Sequence, residues 1–232
     1  MNKPTKFETR SGQLLASESS GQVPRPALSR RALIAGAALV ASMVAAGVAH
    51  AQAQIDQPAP AFSATTADGK TLTLDSLNGK TVVLEWTNHD CPYVKKHYGS
   101  GNIPALQKDA TGKGVVWLQV ISSAPGQQGY VDGPTAIKLN QERGAAPTNT
   151  LLDPSGQIGK AYGAQTSPHL FIINPQGVLV YKGGIDSIAT AKVDDIAKAD
   201  PYVKTALREL AAGKKVTQAN TRPYGCSIKY GS

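Results

Sequence analysis

Lys80-Thr81-Val82-Val83-Leu84-Glu85-Trp86-Thr87-Asn88-His89-Asp90-Cys91-Pro92-Tyr93-Val94-Lys95-Lys96-His97-Tyr98 decides how the rest of the chain is read. Val82 to Trp86 is an apolar, β-branched run with the length of a buried strand. A polar corner, Thr87 to Asp90, follows it. Pro92 suits the first turn of a helix, where its missing N–H removes no hydrogen bond. Cys91 is therefore expected at the mouth of a strand-to-helix turn, with unpaired backbone N–H groups directed at its sulfur. A helix N-terminus carries partial positive charge and favours the thiolate, the form that attacks disulfides and peroxides. Asn88 and His89 in the corner and Lys95 one turn along the helix are expected to tune that sulfur. The opposing reading makes Cys91 a small buried hydrophobe or half of a structural disulfide.

Outward towards the N-terminus, Asp75-Ser76-Leu77-Asn78-Gly79-Lys80 is a turn that delivers the chain into the central strand. Phe62 to Thr65 and Thr71 to Leu74 form a hairpin around Asp68-Gly69. Gln57-Pro58-Ala59-Pro60-Ala61-Phe62 is an extended lead-in whose prolines forbid helix. Before it, residues 1–31 are polar and close on Ser29-Arg30-Arg31. Residues 32–49 are apolar, and Ala49-His50-Ala51-Gln52-Ala53 offers small residues at the spacing a signal peptidase reads. This is the plan of a secretory signal covering 1–53, and the paired arginines resemble a twin-arginine leader, with Leu33 where that motif usually has Phe. The alternative is an uncleaved anchor. Ten of its 18 apolar-segment residues are Ala or Gly, which weakens that alternative. Export implies a periplasmic or secreted protein with no stable membrane insertion after cleavage.

Of the 24 Lys/Arg and 16 Asp/Glu, six and two fall in the leader, so the remainder keeps 18 and 14, a net charge of +4. A mild excess without a basic cluster argues against nucleic-acid binding. The length from Gln54 suits one domain, 54–212, followed by a tail, 213–232. The two cysteines, Cys91 and Cys226, both lie beyond the leader, and export puts them where disulfides persist.

Outward towards the C-terminus, a helix is expected from Cys91 to about Lys108, bent near Gly99-Ser100-Gly101 and Pro104. Val115 to Ile121 reads as a buried parallel strand, and Ser122 to Gly133 as a loop. Pro134 to Arg143 reads as a helix with Ile137 and Leu139 inward and Lys138 and Arg143 outward. Asn149 to Leu152 is a short strand, and Asp153-Pro154 caps a small helix through Tyr162 with Pro in its first position. His169 to Ile173 and Val178 to Tyr181 bracket a four-residue turn. Asp200-Pro201 opens a last helix ending before Gly213. Tyr224, Ile228 and Tyr230 make the tail too apolar to hang free. Alternating strands and helices closing on a hairpin give an α/β fold, a mixed sheet flanked by helices.

Thr166-Ser167-Pro168-His169 is the second informative segment, because a cis bond before Pro168 would bring backbone next to Cys91. The chain from Gln57 through the Leu207 helix resembles the thioredoxin-like superfamily, in its peroxiredoxin (alkyl hydroperoxide reductase/thiol-specific antioxidant) branch. Asp68-Gly69-Lys70, Leu77-Asn78-Gly79-Lys80, Tyr162-Gly163, Ser167-Pro168 and Asn174-Pro175-Gln176-Gly177 match it in order. The likeness extends to a subgroup with the centre Asn88-His89-Asp90-Cys91-Pro92-Tyr93-Val94 and the ending Gly225-Cys226-Ser227-Ile228-Lys229-Tyr230. The resemblance implies that Pro168 is the cis-proline presenting the Ser167 backbone to an extended substrate.

Departures from the family matter. Val94 stands where a thioredoxin has its second cysteine, so a local dithiol is excluded. Asn88 stands where a peroxiredoxin has threonine, and Arg143 is the candidate for the peroxide-polarising arginine. The reading is an exported thiol oxidoreductase in which the Cys91 sulfur attacks a peroxide or disulfide and Cys226 resolves the product. An external dithiol reductant completes the cycle, and no cofactor is implied. The rival is a binding module holding a partner or copper, with Cys91 and Cys226 joined as a permanent staple. His89, Cys91 and His97 are the candidate ligands, of types suited to copper or zinc. His97, six positions past Cys91, would be rotated by about 240° on a helix, away from the sulfur.

Overall fold

A computed structural model describes residues 52–231, so the leader read from residues 1–53 lies, save its last two residues, outside the described residues. In chain order the elements are β1 (Ser63–Thr66), β2 (Thr71–Thr73), β3 (Val82–Trp86), α1 (Pro92–Gly99), α2 (Asn102–Gly112), β4 (Val116–Ile121), α3 (Gly133–Glu142), β5 (Asn149–Leu152), α4 (Gln157–Tyr162), β6 (Thr166–Ser167), β7 (His169–Ile173), β8 (Leu179–Gly183), α5 (Tyr202–Ala211) and β9 (Cys226–Ser227). Seven strands form one mixed sheet in the order β2-β1-β5-β4-β3-β7-β8. β3 lies at its heart, parallel to β4 and antiparallel to β7, with Val83 opposite Trp117 on one side and Ile172 on the other. β6 and β9 form a separate two-stranded ribbon. Among the described residues no helix is long and apolar enough to cross a membrane.

The near-continuous apolar runs of β3 and β7 follow from burial on both faces. Leu84, Trp86, Leu118, Leu151 and Phe171 pack under Ile158 and Tyr162 of α4. Val83, Trp117, Leu170 and Ile172 pack under Cys91, Val94, Ile103 and Ala110 of the α1–α2 side and Val203 and Ala206 of α5. The Trp86 ring meets Phe171 at 5.0 Å and Tyr162 at 5.7 Å between centroids, arrangements worth roughly 0.5–1.5 kcal/mol each beyond area burial.

Four local readings are corrected. The helix after Cys91 is two helices, because Gly101 takes a left-handed φ of 74° and breaks the ladder. Pro104 causes no bend, since it lies in the first turn of α2, where its missing N–H is not needed. In α3, Ala136 faces inward, Ile137 is 39% exposed, and Arg143 is turned back over the Tyr98 ring at 3.8 Å. Pro154 is not in the first position of α4; a turn over Asp153–Gly156 intervenes, and α4 begins only at Gln157.

Asp153 nevertheless caps α4. Its carboxylate accepts from the Ile158 and Gly159 amides at 3.2 and 2.9 Å and from Ser122 Oγ at 2.6 Å. Ser122 in turn accepts from Trp86 Nε1 at 3.0 Å, tying the cap to the core. Asp153→Ala is expected to lower stability by about 2–3 kcal/mol, read as a reduced urea midpoint at unchanged slope.

The tail packs back on the domain as its apolar residues required. Ile228 N donates to Gln165 O at 3.0 Å, Ala124 N to Lys229 O at 2.8 Å, and Tyr230 Oη to Ala164 O at 2.8 Å. The Tyr230 ring fills a notch whose walls are Gly156 and Gly159; a Cβ at either would overlap it.

Candidate active site

Cys91 is the N-cap residue of α1, set there by a tight corner. Its N–H donates to Asn88 O at 3.1 Å, and Asn88 Oδ1 accepts from the Asp90 amide at 2.9 Å. The sulfur does not turn towards the helix amides: no side-chain capping bond forms. Sγ instead donates to Ser167 O at 3.0 Å and accepts from Cys226 N at 3.4 Å. Both partners belong to the β6–β9 ribbon, where Ser167 lies opposite Cys226 and Thr166 opposite Ser227. The Ser167–Pro168 peptide bond is cis. Gly225 allows this approach, because with φ of 140° a Cβ there would overlap the Ser167 carbonyl oxygen.

The structure thus brings together four of the residues singled out in the sequence: Cys91, Cys226, Ser167 and Pro168. Cys91 is 0% exposed, so the sulfur expected to be reachable is covered in this conformation. Cys226 is half-buried with a free thiol, and burial, then the neighbouring Cys91, push its ionisation well above the ordinary cysteine range. The ends of His89 and Lys95 are drawn to Asp90 instead, at 3.3 and 3.7 Å, and Lys95 is largely solvated. His97 is engaged through both ring nitrogens, with Asn102 at 2.8 Å and Tyr224 at 3.0 Å, and shares no site with Cys91. Arg143 is held by Asn140 Oδ1 at 2.7 Å. Two grooves among the described residues, about 570 and 750 Å³, run along α2, one beside the length of α5 and the other beside its start, and neither is lined by Cys91, Ser167, Pro168 or Cys226.

Two buried polar clusters were not legible in the sequence. In the first, Glu85, inside the apolar run of β3, accepts from Tyr98 Oη at 2.6 Å, Gln107 Nε2 at 2.9 Å and Trp117 Nε1 at 2.7 Å. Burial pushes its carboxyl ionisation up, and the three donors oppose that only in part. In the second, Lys96, His97, Asp186 and Tyr224 meet beside α1. The Tyr224 hydroxyl donates to Asp186 Oδ1, and Lys96 Nζ and His97 Nε2 lie 3.8 and 3.7 Å from Asp186 Oδ2. Asn102 donating onto His97 Nδ1 assigns the ring proton to Nε2, which donates to Tyr224.

Burial lowers His97 to about 4, with Asp186 opposing and Lys96 assisting, and lowers His169, which accepts from Gln165 N at 3.2 Å, to about 3. Both rings are neutral in the folded chain at neutral pH. Below about pH 6.5 the unfolded chain takes up protons that the folded chain refuses until about 4 and 3, so these two groups remove stability as the pH falls through that window. In ring ¹H–¹⁵N spectra neither signal should move between about pH 8 and about pH 5. A midpoint near 6.5 for either would contradict their placement.

A cysteine at the start of the helix after the central strand, facing the residue before a cis-proline, on a mixed sheet flanked by helices, defines a thioredoxin-like redoxin. The AhpC/TSA family model matches residues 55–182, more than half of the chain, and the protein belongs to that family. A curated relative, the thiol:disulfide interchange protein DsbE of Allochromatium vinosum, is 26% identical over 137 residues, 57% of this chain and 69% of that protein. Among solved structures, an uncharacterized conserved protein from Geobacillus kaustophilus has a TM-score of 0.65 at 24% identity, over 77% of this chain and 93% of its own. A hypothetical protein from Sinorhizobium meliloti has a TM-score of 0.64 at 21% identity, over 78% and 97%. These two likenesses establish the fold.

Proposed function

We propose that this protein is an exported thiol–disulfide oxidoreductase working through Cys91 and the remote Cys226. The observation that carries the reading is the Cys226 amide 3.4 Å from Cys91 Sγ, which puts the two cysteines side by side although 135 positions separate them. The Cys91 thiolate attacks a substrate disulfide, one substrate sulfur leaves as a thiol, and the other stays on Cys91 as a mixed disulfide. Cys226, after losing its proton, attacks the Cys91 sulfur and releases the second substrate thiol. The Cys91–Cys226 disulfide that remains holds the two-electron change until an external dithiol reduces it. Ser167, before the cis-proline, supplies the backbone a substrate strand pairs with. Asn88 shapes the corner that sets Cys91, and His89 and Lys95 add a solvated field at its mouth.

The relative named as a thiol:disulfide interchange protein favours disulfide over peroxide as substrate. So does the site, because Arg143 is spent on Asn140 and the Tyr98 ring. The deciding assay offers the full chain insulin with dithiothreitol, and in parallel a hydroperoxide with the same reductant. Catalysed insulin reduction without peroxide consumption is the expected result. Peroxide consumption alone would transfer the reading to a peroxidase, and a stable Cys91–Cys226 bridge with neither activity would make the pair a staple.

A further inference from the structure

We propose that the tail segment 224–230 is a strap that occupies the protein's own substrate place and must lift before Cys91 reacts; the inference rests on the exchange chemistry above. The Ser167 backbone that a substrate strand would use is already paired with Cys226, and the Cys91 sulfur beneath it is 0% exposed. The chain therefore acts as its own bound strand in this conformation.

The strap is built to come away. Its pairing is two residues long, and most of its residues are only half-buried. Such a segment opens by local unfolding at less cost than the sheet beneath it. It is fastened at its two ends. At one end Tyr230 sits in the Gly156–Gly159 notch. At the other, Tyr224 donates to Asp186, accepts from His97 Nε2 at 3.0 Å, and lays its ring against Tyr93 at 5.7 Å.

Tyr224 is the latch. It stands two residues before Cys226, and its partner His97 rides on α1, the helix that Cys91 opens. Withdrawing Tyr224 does not strand the Asp186 carboxylate. Oδ1 keeps the Ile188 amide at 3.1 Å, and Oδ2, which has no hydrogen-bond partner even in the closed state, keeps the Lys96 ammonium 3.8 Å away. An incoming extended segment displaces β9 from Ser167, carrying Cys226 off Cys91. Once the mixed disulfide has formed, re-docking of the strap returns Cys226 to the sulfur it must attack. Tyr224 is in this sense a positioning residue for Cys226.

The test reads access to Cys91 alone. In a full chain carrying Cys226→Ser, Cys91 is the one thiol left, and its alkylation by iodoacetamide is followed by intact mass. Adding Tyr224→Phe, which removes the hydroxyl and keeps the ring, should speed alkylation by roughly ten- to a hundredfold, the population shift expected for a lost hydrogen bond to a charged group. Gly225→Ala, which forces a Cβ into the Ser167 carbonyl, should do the same without touching the latch. Rates equal to the parent in either folded variant overturn the proposal.

Should both variants unfold, hydrogen exchange of the unsubstituted chain decides. The Ile228 amide should exchange through an opening insensitive to low denaturant, while β3 and β4 amides wait for global unfolding; one shared opening for all of them refutes the strap. Alkylation and exchange need no turnover. A chain with a moving strap and no activity would sink the proposed function and leave only the motion standing, whereas an active chain with a fixed strap would sink this inference alone.

Discussion

Cys91→Ser brings dithiol-driven insulin reduction down to the uncatalysed background, a loss on the order of a thousandfold or more, because a serine hydroxyl neither ionises at neutral pH nor attacks a disulfide. The loss should be complete, since Val94 offers no second sulfur within the helix turn. Cys226→Ser behaves differently. The first attack is retained, but the mixed disulfide has no internal thiol to resolve it, and when the reduced variant meets substrate with free dithiothreitol removed it accumulates as an adduct on Cys91 of substrate mass. Mass spectrometry of quenched reactions distinguishes the two variants. A Cys91→Ser chain that still turns over would show that the catalytic sulfur is elsewhere, and Cys226 is the other cysteine the chain has.

Glu85→Ala is the substitution expected to damage the fold most. The carboxylate is 0% exposed, and Tyr98, Gln107 and Trp117 all point donors at it. Tyr98 is itself held by Gln119 Nε2 at 2.6 Å, and Gln107 Oε1 accepts from the Ala146 amide at 2.9 Å, so the network reaches β4 and the loop before β5. Removing the acceptor leaves the Tyr98 hydroxyl and Trp117 Nε1 unpaired at about 1–3 kcal/mol each, leaves Gln107 Nε2 with only Tyr98 Oη at 3.1 Å, and opens a cavity besides. About 4–6 kcal/mol in all is comparable to the whole net stability of an ordinary domain, roughly 5–15 kcal/mol. Glu85→Gln retains one oxygen for two of the donors and should cost less than half as much. Urea denaturation followed by tryptophan fluorescence reads both, Trp86 and Trp117 lying within or beside the network. Equal, small effects for Ala and Gln would mean that the carboxylate is not what satisfies those donors.

What the sequence made legible was whatever depends on period and on proline. The run Val82–Trp86, the corner to Cys91 and the Pro92 start place the central strand and its helix, and Ser167-Pro168 places the second wall of the site. Distance along the chain hid the rest. Nothing local to Tyr224 or Gly225 says that one meets His97 and the other Ser167; both the exchanging and the staple readings paired Cys91 with Cys226, and the sequence left open which of the two the pair is. Glu85 was hidden because a single carboxylate in a strand normally marks a solvent-facing position, whereas here α2 and β4 supply donors for it. Ile137 was misread because α3 approaches the sheet on its small residue, Ala136, and leaves the larger side chain outside. The turn Asp153–Gly156 displaced the proline rule by a full step, since Gly156, at a left-handed φ of 70°, becomes the residue before α4.

The most direct measurement is a redox titration of the full chain. The protein is equilibrated across a series of dithiothreitol ratios, quenched, alkylated, and assayed for a peptide linking Cys91 to Cys226. A single two-electron transition between free thiols and that linked peptide, at a potential above about −300 mV, is the predicted result. Two thiols that never pair, or a link that persists below about −300 mV as structural disulfides do, would contradict an exchanging pair.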